Sequence, residues 1–263
     1  VEPVNAVVAL PADGGAEPVV LHAAHDFVSS PRLSPDGAWL AWVAWDHPNM
    51  PWDDTELWVA RFAEGAISDA RCLIRAEAGE SIVQPEWDHD NRLWFCSDRT
   101  DWWNIYHFAQ PGPPSGDPVA VAGGAYEVAS PPWVFGASRY AFLSDNRVVF
   151  GYTSDGLDHL AVHDLIERRT DRLSLPYTSV AQVRAWHTTL VFVGASFTAP
   201  PAVVGTVVGR SGSTSRPEVL RPPADSGLSS SLLSVGQPIT FPTEGGSAHG
   251  IFYPPANPDF APP

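Results

Sequence analysis

The 263-residue sequence contains no lysine: its 15 basic residues are all arginine, against 30 Asp and Glu, giving a formal net charge of −15. Such a polyanion repels phosphate, which excludes sequence-independent nucleic-acid binding and anchoring on an anionic membrane. Cysteine is nearly absent, with only Cys72 and Cys96, too few for a disulfide framework in a chain of this length. Both sit in apolar, strand-like settings and read as small core hydrophobes. The alternatives are a lone bridge, or a nucleophilic thiol, which needs a basic neighbour to lower its pKa. No apolar run approaches about 18 residues, so no segment reads as a membrane-spanning helix. There is no initiator Met and no charged-then-apolar leader before the alternating stretch Val4 to Leu10. The sequence therefore reads as a piece of a longer chain. A reducing bacterial cytoplasm is the expected location, and all-Arg, Ala-rich usage fits a GC-rich genome.

What is abundant points to strands. The sequence holds 27 Pro, 21 Gly and 11 Trp, with 44% hydrophobic residues, the profile of many short strands joined by tight turns. A repeat of roughly 40 to 50 residues runs through it, the period of a propeller blade. One unit runs from Ser29-Ser30-Pro31-Arg32-Leu33-Ser34-Pro35-Asp36-Gly37 through Trp39–Trp45 to Thr55–Arg61. The next repeats it as Gln84–Asn91, Leu93–Arg99 and Trp103–Phe108. Asp36-Gly37 and Asp90-Asn91 read as hairpin turns, because positive φ favours Gly and Asn. A third unit reads Pro131–Phe135, Tyr140–Leu143, Arg147–Tyr152 and His159–His163. A more worn fourth reads Val180–Trp186, Thr189–Val193, Ala202–Val208 and Glu218–Leu220.

A four-stranded unit cannot bury both faces alone, so the units must stack around an axis. The expected fold is all-β, a β-propeller with four full four-stranded blades at residues 23–76, 77–123, 124–175 and 176–223. Residues 1–22 hold two strands of a preceding blade. A linker at 224–236 leads into a different segment, 237–263, in which Gln237–Thr243 and Ser247–Pro255 read as a hairpin turning at Glu244-Gly245-Gly246.

These residues resemble the prolyl oligopeptidase family of serine peptidases, in particular bacterial dipeptidyl aminopeptidase and acylaminoacyl peptidase-like enzymes and actinobacterial aminopeptidases of the puromycin-hydrolysing type. The segments that carry the likeness are Ser30–Gly37, Ala44–Asp53, Thr55–Trp58, Ser97–Asn104 and Pro132–Gly136, with Phe241–Phe260 similar to the crossing from propeller into α/β-hydrolase domain. The resemblance implies a seven-bladed propeller that covers a Ser-His-Asp hydrolase and screens substrates by size. It also implies hydrolysis of peptide or amide bonds near the N-terminus of small substrates. The partners implied are a small peptide or aminoacyl-amide substrate and the protein's own C-terminal α/β-hydrolase domain, with no nucleic acid, no membrane and no cofactor. The nucleophile elbow Gly-x-Ser-x-Gly is missing: Gly209-Arg210-Ser211-Gly212-Ser213 and Gly245-Gly246-Ser247-Ala248-His249 both end on the wrong residue. No catalytic residue is therefore assigned within this chain, which alone is expected to be inactive.

In a four-stranded blade, the loop between second and third strands and the linker into the next blade emerge on the same side. Residues 46–54, Arg99–Trp103, Tyr126 and Glu127 are thus expected to share one face. Candidate substrate-binding residues are Glu127, Asp46, His47, Trp52, Asp53, Trp102 and Trp103. Glu127, or an acid from Asp46, Asp53, Asp54 and Glu56, would hold a substrate ammonium by charge-assisted hydrogen bonds. The competing reading makes the tryptophans packing residues and the acids turn formers.

No metal site is expected. His159 and His163 on one strand lie about 13 Å apart at roughly 3.3 Å per residue, too far to share an ion. His22-x-x-His25 lacks companion ligands. Asp88-His89-Asp90-Asn91-Arg92 begins like a calcium loop, but Leu93 and Arg99 stand where Gly and Glu are required, and a β-turn explains it. A rival class is a free-standing propeller of the periplasmic or WD-repeat kind, binding proteins without catalysis. The downstream part of the gene discriminates between them, since a Gly-x-Ser-x-Gly elbow there favours the peptidase.

Overall fold

The structure, a computed structural model, describes residues 3–76, 79–223, 225 and 227–257. Residues 224 and 226 of the expected linker, and 258–263 at the end of the expected hydrolase segment, lie outside the described residues. The chain divides into two compact units, Val1–Ala137 and Ser138–Pro263.

In the first unit, β1 (Val7–Ala9) and β2 (Val19–His22) form a two-stranded sheet. The strands β3 (Phe27–Leu33), β4 (Trp39–Trp45), β5 (Glu56–Ala63) and β6 (Ala66–Ile74) form a four-stranded antiparallel meander, and β7 (Ile82–Trp87), β8 (Leu93–Ser97), β9 (Asn104–His107) and β10 (Val119–Ala122) form another. The second unit holds two more such sheets. One is β11 (Tyr140–Leu143), β12 (Arg147–Ser154), β13 (Leu157–Asp164) and β14 (Arg169–Leu173); the other is β15 (Ser179–Trp186), β16 (Thr189–Ser196), β17 (Ala199–Val207) and β18 (Glu218–Arg221). A hairpin of β19 (Gln237–Thr243) and β20 (Gly246–Phe252) completes the order. The all-β architecture matches the expectation, and no α-helix occurs among the described residues.

The turns form where the sequence places them. Gly37 takes φ +71° and Asn91 φ +61°. Each is held by an aspartate: Asp36 Oδ1 accepts from Ala38 N at 3.0 Å, and Asp88 Oδ1 accepts from Asp90 N and Arg92 N, both at 2.9 Å. Asp88 also accepts the indole N–H of buried Trp94 at 2.8 Å, so this stretch is a turn fastened to the core. First strands carry a repeated irregularity. The registers of β3, β7 and β15 slip between Ser29 and Arg32, Val83 and Glu86, and Ala181 and Arg184, with positive φ at Ser30, Gln84 and Gln182. These are β-bulges, which bend a strand and increase its twist.

Within the first unit, Val43, Trp45, Leu57, Trp87, Phe95 and Tyr106 form a core between the two four-stranded sheets. A smaller cluster joins Val7 of β1 to Leu40, Trp42 and Ala60, with Leu21 and Trp58 at its margin. In the second unit, Leu143, Val149, Leu160, Val180, Phe192 and Val204 fill the space between sheets. Buried arginines join those sheets. Arg139 donates to Val180 O and to Asp158, and Arg147 reaches Val208 O at 3.0 Å and Asp145 at 2.7 Å. Guanidinium forks suit such multi-acceptor positions, which a lysine fills poorly.

One strand assignment is corrected. Pro131–Phe135, expected as the first strand of the third unit, is an exposed turn, and the sheet instead begins at β11 and ends at β14. Pro131 and Pro132 have no N–H to give a ladder, so the apolar run after them is not drawn into a sheet.

Candidate functional site

At one end of the first unit, Ser81 ties several loops together. Its hydroxyl donates to Pro51 O at 2.8 Å and its amide to Asp98 Oδ1 at 2.7 Å, while its carbonyl accepts the Trp103 indole N–H at 3.2 Å. Trp103, which is buried, then donates its backbone N–H to Glu127 Oε2 at 2.8 Å, and its carbonyl accepts from Val128 N at 2.8 Å. The β4–β5 loop, the entry to β7, the β8–β9 loop and the segment leaving β10 are thereby connected around a group of carboxylates.

These carboxylates are short of cations. Burial pushes the Glu127 carboxyl above its ordinary value; the Trp103 N–H opposes this and Asp98 adds to it. Burial likewise pushes Asp98 up against its own hydrogen bond from Ser81, with Glu80 and Asp54 adding to the rise. Asp54 Oδ2 accepts from Gly79 N at 3.3 Å, whereas its buried Oδ1 has no hydrogen-bond partner among the described residues. The nearby guanidinium is already committed, since Arg99 binds Glu80 at 2.7 Å and lies over the Tyr106 ring. Among the described residues, no ion pair joins Asp54, Asp98 or Glu127 to an arginine or histidine. Nor does any group of three His, Cys, Asp or Glu among them converge as a metal centre would require. The arrangement suits a compact monovalent cation with several N–H donors.

The other candidates have different local roles. Asp53 Oδ2 accepts from Met50 N at 2.9 Å and closes a turn. Trp102 is exposed. The Trp52 ring lies 4.2 Å, centroid to centroid, from that of Trp133. Asp46 and His47 are directed to Asp26 instead. Asp46 Oδ1 accepts from Asp26 N at 2.6 Å, and His47 offers its backbone N–H and Nδ1 to Asp26 Oδ2 at 3.0 and 2.9 Å. The two bonds from His47, the backbone one first, hold the Asp26 carboxyl below its usual range. Asp26 and His47 line a separate cleft of about 500 Å³ with Asn5, His25 and Phe27. Glu56 is occupied by Trp58 Nε1 at 2.7 Å and His25 Nε2 at 3.2 Å. Sequence reading missed Ser81, Asp98 and Trp133. Ser81 and Asp98 act through contacts across loops, which spacing does not reveal, and Trp133 stood in an apolar run that read as a strand.

His159 and His163 have separate partners, Arg172 and Thr170, each at 2.8 Å. Cys72 and Cys96 are not joined in a disulfide, and burial together with neighbouring Glu56 pushes the Cys72 thiol up to about 12.

Comparison with known proteins decides the relationship. No family profile and no curated protein matches the chain. Among solved structures, a puromycin-hydrolysing peptidase of Mycobacterium tuberculosis is 33% identical over 98% of this chain with a TM-score of 0.85, and a puromycin hydrolase is 33% identical over 97% with a TM-score of 0.86. The chain resembles the propeller region of the puromycin-hydrolysing peptidases. It spans 40% and 39% of the lengths of those two structures. Prolyl oligopeptidase B from Galerina marginata, at 12% identity over 89% of this chain and 32% of its own, with a TM-score of 0.65, shares the fold. The four-stranded meanders of this chain are thus blades of the propeller found in these peptidases.

Proposed function

We propose that this chain is the propeller part of a serine peptidase that hydrolyses peptide or amide bonds near the free N-terminus of small substrates. In this reading the propeller limits access to a Ser-His-Asp triad on the α/β-hydrolase domain that the hairpin β19–β20 introduces. The observation that carries the reading is the 33% identity over 98% of the chain to a puromycin-hydrolysing peptidase. The chain contributes no nucleophile. Its part is to orient the substrate, with Glu127 as the group that meets the substrate ammonium and Asp98 and Asp54 deepening the negative potential around it.

Chemically, a half-buried carboxylate with no cation paired to it among the described residues gains when an ammonium arrives, because partial desolvation strengthens the pair relative to open water. Among the described residues Glu127 accepts one N–H, that of Trp103, so acceptor capacity remains for the substrate. The raised carboxyl returns toward its ordinary value once the ammonium is bound.

The test is Glu127→Gln in the full-length protein. Charge-assisted hydrogen bonds exceed neutral ones by about 1 to 2 kcal/mol, so KM for free-amine aminoacyl anilides should rise about 5- to 30-fold. KM for N-acylated analogues should stay within about twofold. Equal changes for both substrate classes would remove the ammonium role.

A further inference from the structure

The segment that carries Glu127 is gripped by two consecutive residues at the start of β9. Trp103, just before the strand, donates its N–H to Glu127 Oε2 at 2.8 Å, and its carbonyl accepts from Val128 N at 2.8 Å. Asn104, the first residue of β9 and only 1% exposed, turns its side-chain amide to the stretch just upstream of Glu127. Its Oδ1 accepts from Gly124 N at 2.6 Å, and its Nδ2 donates to Gly124 O at 3.3 Å and to Tyr126 O at 3.1 Å. Two glycines permit this close approach. A Cβ at Gly123 would lie 3.2 Å from Asn104 Oδ1, and one at Gly124 would lie 2.3 Å from the Tyr126 ring. The Tyr126 hydroxyl closes the turn by donating to Ala122 O at 3.0 Å. Glu127 is thus fixed through the backbone of both its neighbours and at its own carboxylate.

Linking one sheet to the next does not account for Asn104. At the start of the third strand elsewhere, a side chain holds the first strand of the following sheet directly: Thr55 Oγ1 accepts from Ile82 N at 2.6 Å, and Asp158 Oδ2 from Val180 N at 2.7 Å. Ile82 and Val180 are core residues. Asn104 instead holds a turn whose residues 123–125 are exposed, and the Trp103 carbonyl already makes the link to buried Val128. What the Asn104 amide adds is the course of the backbone into Glu127.

We propose that Asn104 is a positioning residue for substrate binding, holding the 124–126 turn so that the Glu127 carboxylate is set for an ammonium before the substrate arrives. The proposal rests on the reading of Glu127 as the ammonium acceptor. A carboxylate that is already ordered gives up little conformational freedom on binding, so the effect appears in affinity and not in the rate of the chemical step. Because Asn104 acts through Glu127, its contribution vanishes once Glu127 no longer carries a charge.

The experiment measures KM and kcat for alanine p-nitroanilide and N-acetylalanine p-nitroanilide on the full-length protein. The variants are Asn104→Ala, Gly124→Ala, Glu127→Gln, and each of the first two combined with the third. Gly124→Ala reaches the same turn by displacing the Tyr126 ring while Asn104 stays in place. Asn104→Ala should raise KM for the free amine about three- to tenfold, with kcat and the N-acetyl KM within about twofold of wild type. In the Glu127→Gln background it should add nothing further, as expected of two residues that act through one group. An unchanged free-amine KM, an equal loss on both substrates, or a loss that adds fully to that of Glu127→Gln overturns the positioning role. If Asn104→Ala does not fold, Gly124→Ala is judged by the same criteria. If Glu127→Gln itself leaves free-amine KM unchanged, the ammonium reading falls and the positioning role with it. A free-amine effect of Glu127→Gln without one from Asn104→Ala removes the positioning role alone. Where turnover is too slow to measure, calorimetric titration with alaninamide and N-acetylalaninamide makes the same comparison in Kd, with the same outcomes deciding.

Discussion

At the scale of single residues, His22, His25 and Glu56 show how a weak spacing becomes a defined arrangement. His22 Nε2 and His25 Nδ1 are 2.8 Å apart, and His25 Nε2 is 3.2 Å from Glu56 Oε2. With both rings neutral, Glu56 accepts from His25 Nε2, so His25 Nδ1 is the acceptor and His22 Nε2 the donor. His22 also packs on Trp42 and Trp58, at 4.9 and 5.5 Å between centroids, which ties the end of β2 to β4 and β5. Two cationic rings would set N–H against N–H across this contact. Burial, then His25, hold the His22 pKa below the ordinary imidazole value of about 6.5, with Glu56 opposing. Cys72 near Glu56, and Asp26 with His47 on the adjoining turn, complete the titratable surroundings. Because the folded state prefers neutral His22, this stabilisation is complete above pH 6.5 and declines as pH falls through the lowered value. Hydrogen exchange at Val19–His22, corrected for intrinsic rates, should therefore lose protection between pH 7.5 and 5 while β4 keeps its own, and His22→Asn should abolish the difference. The His22-x-x-His25 spacing was visible in the sequence. Glu56 was not, because only the pairing of β4 with β5 brings it there.

At the scale of elements, turns were legible and bulges were not. Asp36-Gly37 and Asp90-Asn91 announce themselves because few residues tolerate positive φ. Ser30, Gln84 and Gln182 adopt it with no such signal, since the bulge arises from how a first strand bends against its neighbour. Gln182 is exposed, so its backbone can be tested without disturbing the core. At its φ of +54°, Gln182→Val should cost about 1 to 2 kcal/mol in urea unfolding, while Gln182→Gly should be neutral or slightly stabilising. A Val variant as stable as Gly would mean that the bulge relaxes. The misread element, Pro131–Phe135, teaches the converse: apolar residues after two prolines looked like a strand, and they stand exposed in a turn.

At the scale of the whole molecule, the family resemblance was legible because it rests on long, tryptophan-rich loops such as Ala44–Asp53 and Ser97–Asn104 rather than on blade periodicity, which many propellers share. The grouping of loops at one end was also legible, from strand alternation alone. That Asp46 and His47 turn to Asp26 while Glu127 takes Trp103 was not, because each depends on a hydrogen bond between residues about 20 or more positions apart. The excess of 30 acidic over 15 basic residues acquires a local meaning at Asp54, Asp98 and Glu127, where no arginine or histidine forms an ion pair among the described residues. The central claim is that this chain positions substrate for a serine nucleophile located outside residues 1–263. A fluorophosphonate probe applied to the full-length protein, with the labelled peptide mapped by mass spectrometry, tests it most directly. The account predicts a single modified serine in a Gly-x-Ser-x-Gly elbow beyond residue 263; a modified serine within 1–263, or a full-length protein that takes no label, would contradict it.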